Sequence, residues 1–400
     1  MKPEAVQINF NQKINLFEVI HRLLSFAHAQ GHATALWKLP ESNQIQLVID
    51  EAGSIVLDEI NLEESKPGFI FAPFNTQQKT KFVQADVYFV FDIVQGNMLD
   101  LNKVHATEYL ERANQTNTKL HFHYKPANEN YAAGKHQDEF IELVKKSIEK
   151  IEDGLFEKVV PSRCIQIQLN ENADILNYFT LLAHNYPNTL VSLVSIPGTG
   201  TWLGASPEML VSISDKRWFH TVALAGTQAY NPELNLNQVS WTQKEIEEQA
   251  LVSRYIINCF KKIRLREFEE HGPKSVKAAN LIHLKTEFKV DMVETNFPQL
   301  GSVMLKLLHP TSAVCGMPLQ GAMDFILSNE NYNREFYSGF LGPVNFADKT
   351  NIYVNLRCLQ FFESFALCYA GAGITIDSDP ENEFQETEMK MNTMLNILNH

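Results

Sequence analysis

Hydrophobic positions along this chain change their period repeatedly, and each change predicts an element. Apolar residues at helical spacing predict a helix around Leu16 to His28, and short runs such as Gln46-Leu47-Val48-Ile49 and Tyr88-Phe89-Val90-Phe91 predict strands between polar loops. A stretch rich in Asn, Pro, Ala and Gly from Pro126 to Gly134 reads as a connector, and after it Phe140, Val144, Ile148 and Ile151 recur at helical spacing. A boundary near residue 130 follows, dividing an N-terminal subdomain (1–130) from the rest (131–400). Beyond it, Ile165, Ile167 and Leu169 alternate with Gln166, Gln168 and Asn170, which predicts a half-buried strand with Lys158 near its start. From Thr189 to Thr227 the pattern is that of a meander-like sheet, broken by a Pro197-Gly198 turn. Ser240 to Ile263 turns helical, with Glu245 and Glu248 on adjacent turns. Strands are expected at 352–361 and 365–370. Ile352, Val354 and Leu356 alternate there with Tyr353, Asn355 and Arg357, which puts Arg357 on the more polar face.

The last helix is the best marked. Asp379 fits its N-cap, Pro380 its first position, and Glu381 and Glu383 complement its positive end. At about 100° per residue, Glu383, Glu386 and Lys390 share one stripe, while Phe384, Thr387, Met391, Met394, Leu395 and Leu398 form an adjoining apolar one. Two carboxylates one turn apart can hold a hard cation such as Mg2+, with a lysine one turn on to meet an anion that the cation also touches. A solvated outer face carries the same signature, so the pattern alone leaves both readings open.

Composition narrows the function classes. The 400 residues, 44% hydrophobic and 20% charged, suit a soluble globular protein of two or three units or one large composite domain. A formal charge of −13 without any basic cluster argues against nucleic acid as a partner. Five scattered cysteines without CxxC spacing indicate neither a disulfide framework nor zinc, and the cytoplasm is the expected compartment. Neither a signal sequence nor an apolar run of about eighteen residues is found, so secretion and a membrane location are not expected. Glycines in Ala370-Gly371-Ala372-Gly373 would let backbone N–H groups approach an anion, but the full dinucleotide spacing is missing.

Several ordered motifs, taken together, resemble the chorismate-binding enzymes: Phe156-Glu157-Lys158-Val159-Val160-Pro161-Ser162-Arg163, Gly204-Ala205-Ser206-Pro207-Glu208-Met209, Ala223-Leu224-Ala225-Gly226-Thr227, Leu308-His309-Pro310-Thr311, Gly371-Ala372-Gly373-Ile374 and the closing Glu-Lys helix. The resemblance spans about residues 150 to 395. It implies an α/β fold of stacked, largely antiparallel sheets flanked by helices, with the active site between two halves. Lys158 resembles the lysine of the water-using members, which implies isochorismate synthase: water adds at C2 of chorismate as the C4 hydroxyl leaves. Lys158 then matches the general base and Glu208 the general acid, roles that require a lowered and a raised pKa. Glu248 and Glu386 match direct Mg2+ ligands, with Glu245 and Glu383 as outer partners. Arg357, Lys390, Tyr337, Gly371 and Gly373 match the grip on the enolpyruvyl carboxylate, and Ala225, Gly226 and Thr227 the cradle near the ring carboxylate. His309 stands where the family has a pocket histidine, and His283 is a further pocket candidate with core packing as the alternative. The chain departs from the family at Gln249 and Gln228, where relatives often carry His and Arg. The resemblance further implies a monomer that needs no glutaminase subunit. Salicylate synthase, an anthranilate or aminodeoxychorismate synthase component and a non-catalytic chorismate-binding protein are the competing readings, and the choice between menaquinone and siderophore pathways stays open.

Overall fold

A computed structural model describes residues 15–100, 103–116, 118–126, 137–170, 172–230, 235–278 and 281–398. The connector and the boundary near residue 130 lie outside the described residues. The strands are β1 (Ala33–Lys38), β2 (Gln44–Asp50), β3 (Ile55–Leu57), β4 (Gly68–Ala72), β5 (Thr80–Gln84), β6 (Val87–Asp92), β7 (Asn97–Asp100), β8 (Lys158–Val159), β9 (Ser162–Gln168), β10 (Leu190–Ile196), β11 (Gly200–Ser206), β12 (Met209–Ser214), β13 (Trp218–Ala229), β14 (Glu269–Ala278), β15 (Leu281–Asp291), β16 (Gly316–Met317), β17 (Phe340–Val344), β18 (Lys349–Val354), β19 (Cys358–Phe361) and β20 (Phe365–Gly371). The helices are α1 (Leu16–Ala29), α2 (Lys103–Gln115), α3 (Gln137–Glu152), α4 (Ile175–Asn185), α5 (Gln243–Lys262), α6 (Leu300–Leu308), α7 (Leu319–Asn329) and α8 (Pro380–Leu398).

Two nine-stranded sheets form the body, ordered β7-β6-β2-β1-β10-β11-β19-β20-β9 and β14-β15-β13-β12-β18-β17-β4-β5-β3, with a small β16-β8 pair beside them. Both large sheets take strands from each side of residue 130. Their neighbours pair antiparallel, as the resemblance implies. The first sheet is covered on both faces, which is why β1 and β2 are almost wholly buried. Ala33, Ala35 and Trp37 point into the core shared with the second sheet, whereas Leu36 joins Ile20, Leu24, Phe179 and Met394 under α1, α4 and α8. On the second sheet, α5 packs through Phe260 edge-on to Phe219 and Phe288.

The structure corrects two sequence expectations. Residues 189–227 are not one meander: β10 and β11 belong to the first sheet, β12 and β13 to the second. Likewise 352–361 is not one strand. Asn355, Leu356 and Arg357 break it, with Arg357 at φ 48, and the chain crosses from β18 in the second sheet to β19 in the first. A residue in that left-handed region cannot continue a strand. Arg357 therefore sits at the crossing, inside the molecule and only 7% exposed.

Candidate active site

Where the chain crosses between sheets, several of the expected residues converge. One cavity is lined by Glu208, Ala225, Gly226, Thr227, Glu248, His283, Tyr337, Arg357, Gly371, Gly373 and Lys390, together with Val160, Ala313 and Val314. It holds about 60 Å³, whereas a surface cleft between α3 and α5 holds about 600 Å³. Size does not decide between them, because the small cavity has the converging charged groups.

Each element brings a group by its own geometry. Lys158 lies in β8, whose partner β16 fixes its backbone, and its side chain is fully buried. Its Nζ donates to Glu248 Oε1 at 2.8 Å. Left without that partner, a buried ammonium would cost several kcal/mol. Glu248 comes from α5; burial raises its pKa, but Lys158, Lys390 and Lys244 outweigh that and hold it well below the usual carboxylate range. Gly373 permits the pair, since a Cβ there would stand 2.5 Å from Glu248 Oε1 and 3.0 Å from Lys158 Cε. Glu208 occupies the turn between β11 and β12, where its own carbonyl accepts from the Val354 N–H at 3.0 Å. Burial pushes its carboxyl up, Arg357, Lys158 and Lys390 pull back, and it comes to rest at about 7.

The cationic wall is Arg357 and Lys390. Arg357 is buried, its Nε has no hydrogen-bond partner, and burial lowers its pKa. Lys390 on α8 donates to Glu386 at 2.6 Å and to the Gly371 carbonyl at 2.9 Å. Tyr337 stacks on Tyr369 with centroids 5.1 Å apart, and its hydroxyl lies 3.3 Å from where a Gly371 Cβ would be. Ala225, Gly226 and Thr227 lie at a bulge in β13, with Gly226 at φ 68. Glycine tolerates that conformation at no steric cost.

One residue stands apart from this cluster. His309 lines a different cavity, beside Leu305, Lys306 and Phe340. Its Nε2 donates to the Pro73 carbonyl at 3.0 Å, and burial lowers its pKa to about 4. The histidine in the cavity is His283. A carbonyl can only accept, so the 2.8 Å contact to Gly226 O fixes the proton on Nδ1. Its Nε2 is buried without a partner, and burial with Arg357 nearby lowers its pKa to about 3. The sequence leaves His283 between pocket and core packing, because it stands in a continuous buried run with Leu281, Ile282 and Leu284. Glu245 lies beside Gly226, where it closes the capping box of α5 with the Thr242 N–H at 2.7 Å and accepts from Gln228 at 3.1 and 3.2 Å. Gln249 is buried and ties α5 to the second sheet through the Ala223 carbonyl and Thr286.

Around the rim, Glu383 is 1% exposed, pairs with Lys244, and keeps Oε2 buried without a partner. The acidic stripe of α8 is thus no solvated face. Among the described residues no group of three His, Cys, Asp or Glu side chains forms a ready metal centre. Magnesium does not require one, since it commonly uses one or two carboxylates and completes its shell with water and substrate oxygens. Glu248 and Glu386, with the orphaned oxygen of Glu383, fit that sparse donor set.

Comparison with known proteins adds the decisive observation: residues 76–399 match the family described as chorismate binding enzyme. The chain belongs to the chorismate-binding enzymes. Isochorismate synthase EntC of Escherichia coli strain K12 is 31% identical over 249 residues, covering 60% of this chain and 62% of its own length. Isochorismate synthase DhbC of Bacillus subtilis strain 168 is 28% identical over 302 residues, 73% of each chain. This chain therefore spans less than two thirds of EntC. Among solved structures, the menaquinone-specific isochorismate synthase MenF of Escherichia coli superposes with a TM-score of 0.75 at 19% identity, over 99% of this chain and 94% of that one. Streptococcus pneumoniae anthranilate synthase component I gives 0.67 at 20% identity, over 90% and 89%. At such identities the match establishes the fold, which the two activities share. No helix among the described residues is long and apolar enough to cross a membrane.

Proposed function

We propose that this member of the chorismate-binding enzymes is a Mg2+-dependent isochorismate synthase, converting chorismate reversibly to isochorismate. The observation that carries the reading is Lys158: a fully buried lysine bonded to Glu248, which lines the cavity that also holds a carboxyl poised near neutrality at Glu208. In the reaction the neutral amine of Lys158 takes a proton from water as the water oxygen bonds to C2, and the ammonium so formed is held by Glu248. Glu208 gives a proton to the C4 hydroxyl, which leaves as water while the ring double bonds shift. A carboxyl with a pKa near the working pH suits that donation.

Two carboxylates on the substrate need two countercharges. Arg357, Lys390, Tyr337 and the backbone at Gly371 and Gly373 would bind the enolpyruvyl carboxylate, Arg357 with its free Nε. Glu248 and Glu386 would hold Mg2+, which when bound supplies the positive charge that neutralises the ring carboxylate. The bulge at Ala225-Gly226-Thr227 would cradle that carboxylate from the other side. The names of the relatives support the isochorismate reading over an amine-inserting one. Turnover in H2(18)O tests it: isochorismate should carry one label at C2. Unlabelled product would exclude addition of solvent water.

A further inference from the structure

Three glutamates at the proposed cation site are each closed by a lysine. Glu248 is paired with Lys158, Glu386 with Lys390 and Glu383 with Lys244. The first two lysines have work in the proposed reaction. Lys244 has none, and its position is unusual: it lies in the first turn of α5, where the helix dipole disfavours a cation. What holds it there is charge. Its Nζ is ion-paired with Glu383 on α8, one turn before Glu386 on the same helix.

We propose that Lys244 is an internal place-holder for the divalent cation, neutralising Glu383 in the cation-free protein and competing with the cation for the same negative field. This inference rests on the reading of Glu248 and Glu386 as cation ligands. Three observations single out Lys244 for exchange. Lys158 is fully buried and has nowhere to move, and Lys390 is also tied to the Gly371 carbonyl. Lys244 is 27% exposed and can swing outward. Finally, Glu383 keeps one buried oxygen unpartnered, so the ammonium satisfies only half of the carboxylate it covers. Lys244 therefore weakens cation binding and sets its affinity.

The test is Mn2+ binding to the full chain, read as loss of the free Mn2+ signal in electron paramagnetic resonance, with saturating chorismate left to reach equilibrium. Lys244→Met should bind Mn2+ on the order of tenfold more tightly, as removal of a competing charge at a partly screened site predicts, and Lys244→Arg should match the wild type. In a Glu383→Gln background the gain from Lys244→Met should fall below about twofold, because the two residues act as one unit. Unchanged or weaker binding in Lys244→Met would overturn the place-holder role. So would a full gain that persists without the Glu383 charge, which would mark a through-space effect. Failure of the wild type to bind Mn2+, or equal binding by Glu248→Gln, would instead overturn the cation site itself.

Discussion

Glu208 differs from an ordinary turn carboxylate because burial wins over three neighbouring cations and leaves it at about 7. As a general acid it works only while protonated, so kcat/KM should fall as pH rises through about 7, with unit slope on a logarithmic scale. A pH–rate profile flat from 6 to 9 would remove it from that role. Lys158→Ala should abolish turnover while chorismate still binds, since the anion grip lies on other residues; retained turnover would reject Lys158 as base. Gly373 tests the geometry around that lysine. Its φ is not in the left-handed region, so Gly373→Ala leaves the backbone unstrained, yet the added carbon meets Glu248 Oε1. The expected result is a loss of turnover of roughly a hundredfold, the scale of an ångström-sized misplacement.

At the level of elements, α8 carries Glu383, Glu386 and Lys390 and is anchored by its cap: Asp379 Oδ1 accepts from the Asn382 N–H at 2.9 Å. Asp379→Ala should cost about 1 kcal/mol of stability, measurable by chemical denaturation. Arg163 steadies the same helix from β9, through Thr387 and Glu388 and over the face of Phe384. Further away, α1 contributes His28, bonded to Thr34 at 2.8 Å and with its ring tilted against that of His123, centroids 4.9 Å apart. Burial chiefly, and His123 after it, depresses its pKa from 6.5 to about 3. The unfolded chain therefore binds a proton that the folded one refuses between those values. Stability is full above about pH 6.5 and falls as the pH drops toward 3, by roughly 1.4 kcal/mol per pH unit for this one group. In His28→Gln the slope of stability against pH between 6 and 4 should shrink by one proton's worth. An unaltered slope would show that His28 does not resist protonation.

Across the whole molecule, what the sequence made legible follows from how local each signal is. The cap and stripes of α8, the periodicity of α1, α3 and α5, and the buried runs in β2 and β6 are carried by neighbouring residues and stand in the structure. The assignment of strands to sheets is not local. Between Ile352 and Phe361 the alternation changes phase at Arg357, after which Leu359 and Phe361 take the parity of Asn355 and Arg357, but a change of phase alone does not say that the chain enters another sheet. His283 and His309 illustrate the same limit: each sits among apolar residues, and only the fold determines which imidazole faces Glu248 and Arg357 and which faces Pro73. The pairing of α5 with α8 through Lys244 and Glu383 joins residues 139 positions apart. Whether these groups add water to chorismate is read from proton NMR of chorismate incubated with the purified chain and Mg2+, with and without ammonium, against an EDTA control. Isochorismate should stand at equilibrium with chorismate, dependent on metal and indifferent to ammonium. An aminated product, salicylate with pyruvate, or chorismate left unchanged under all conditions would contradict the isochorismate synthase reading.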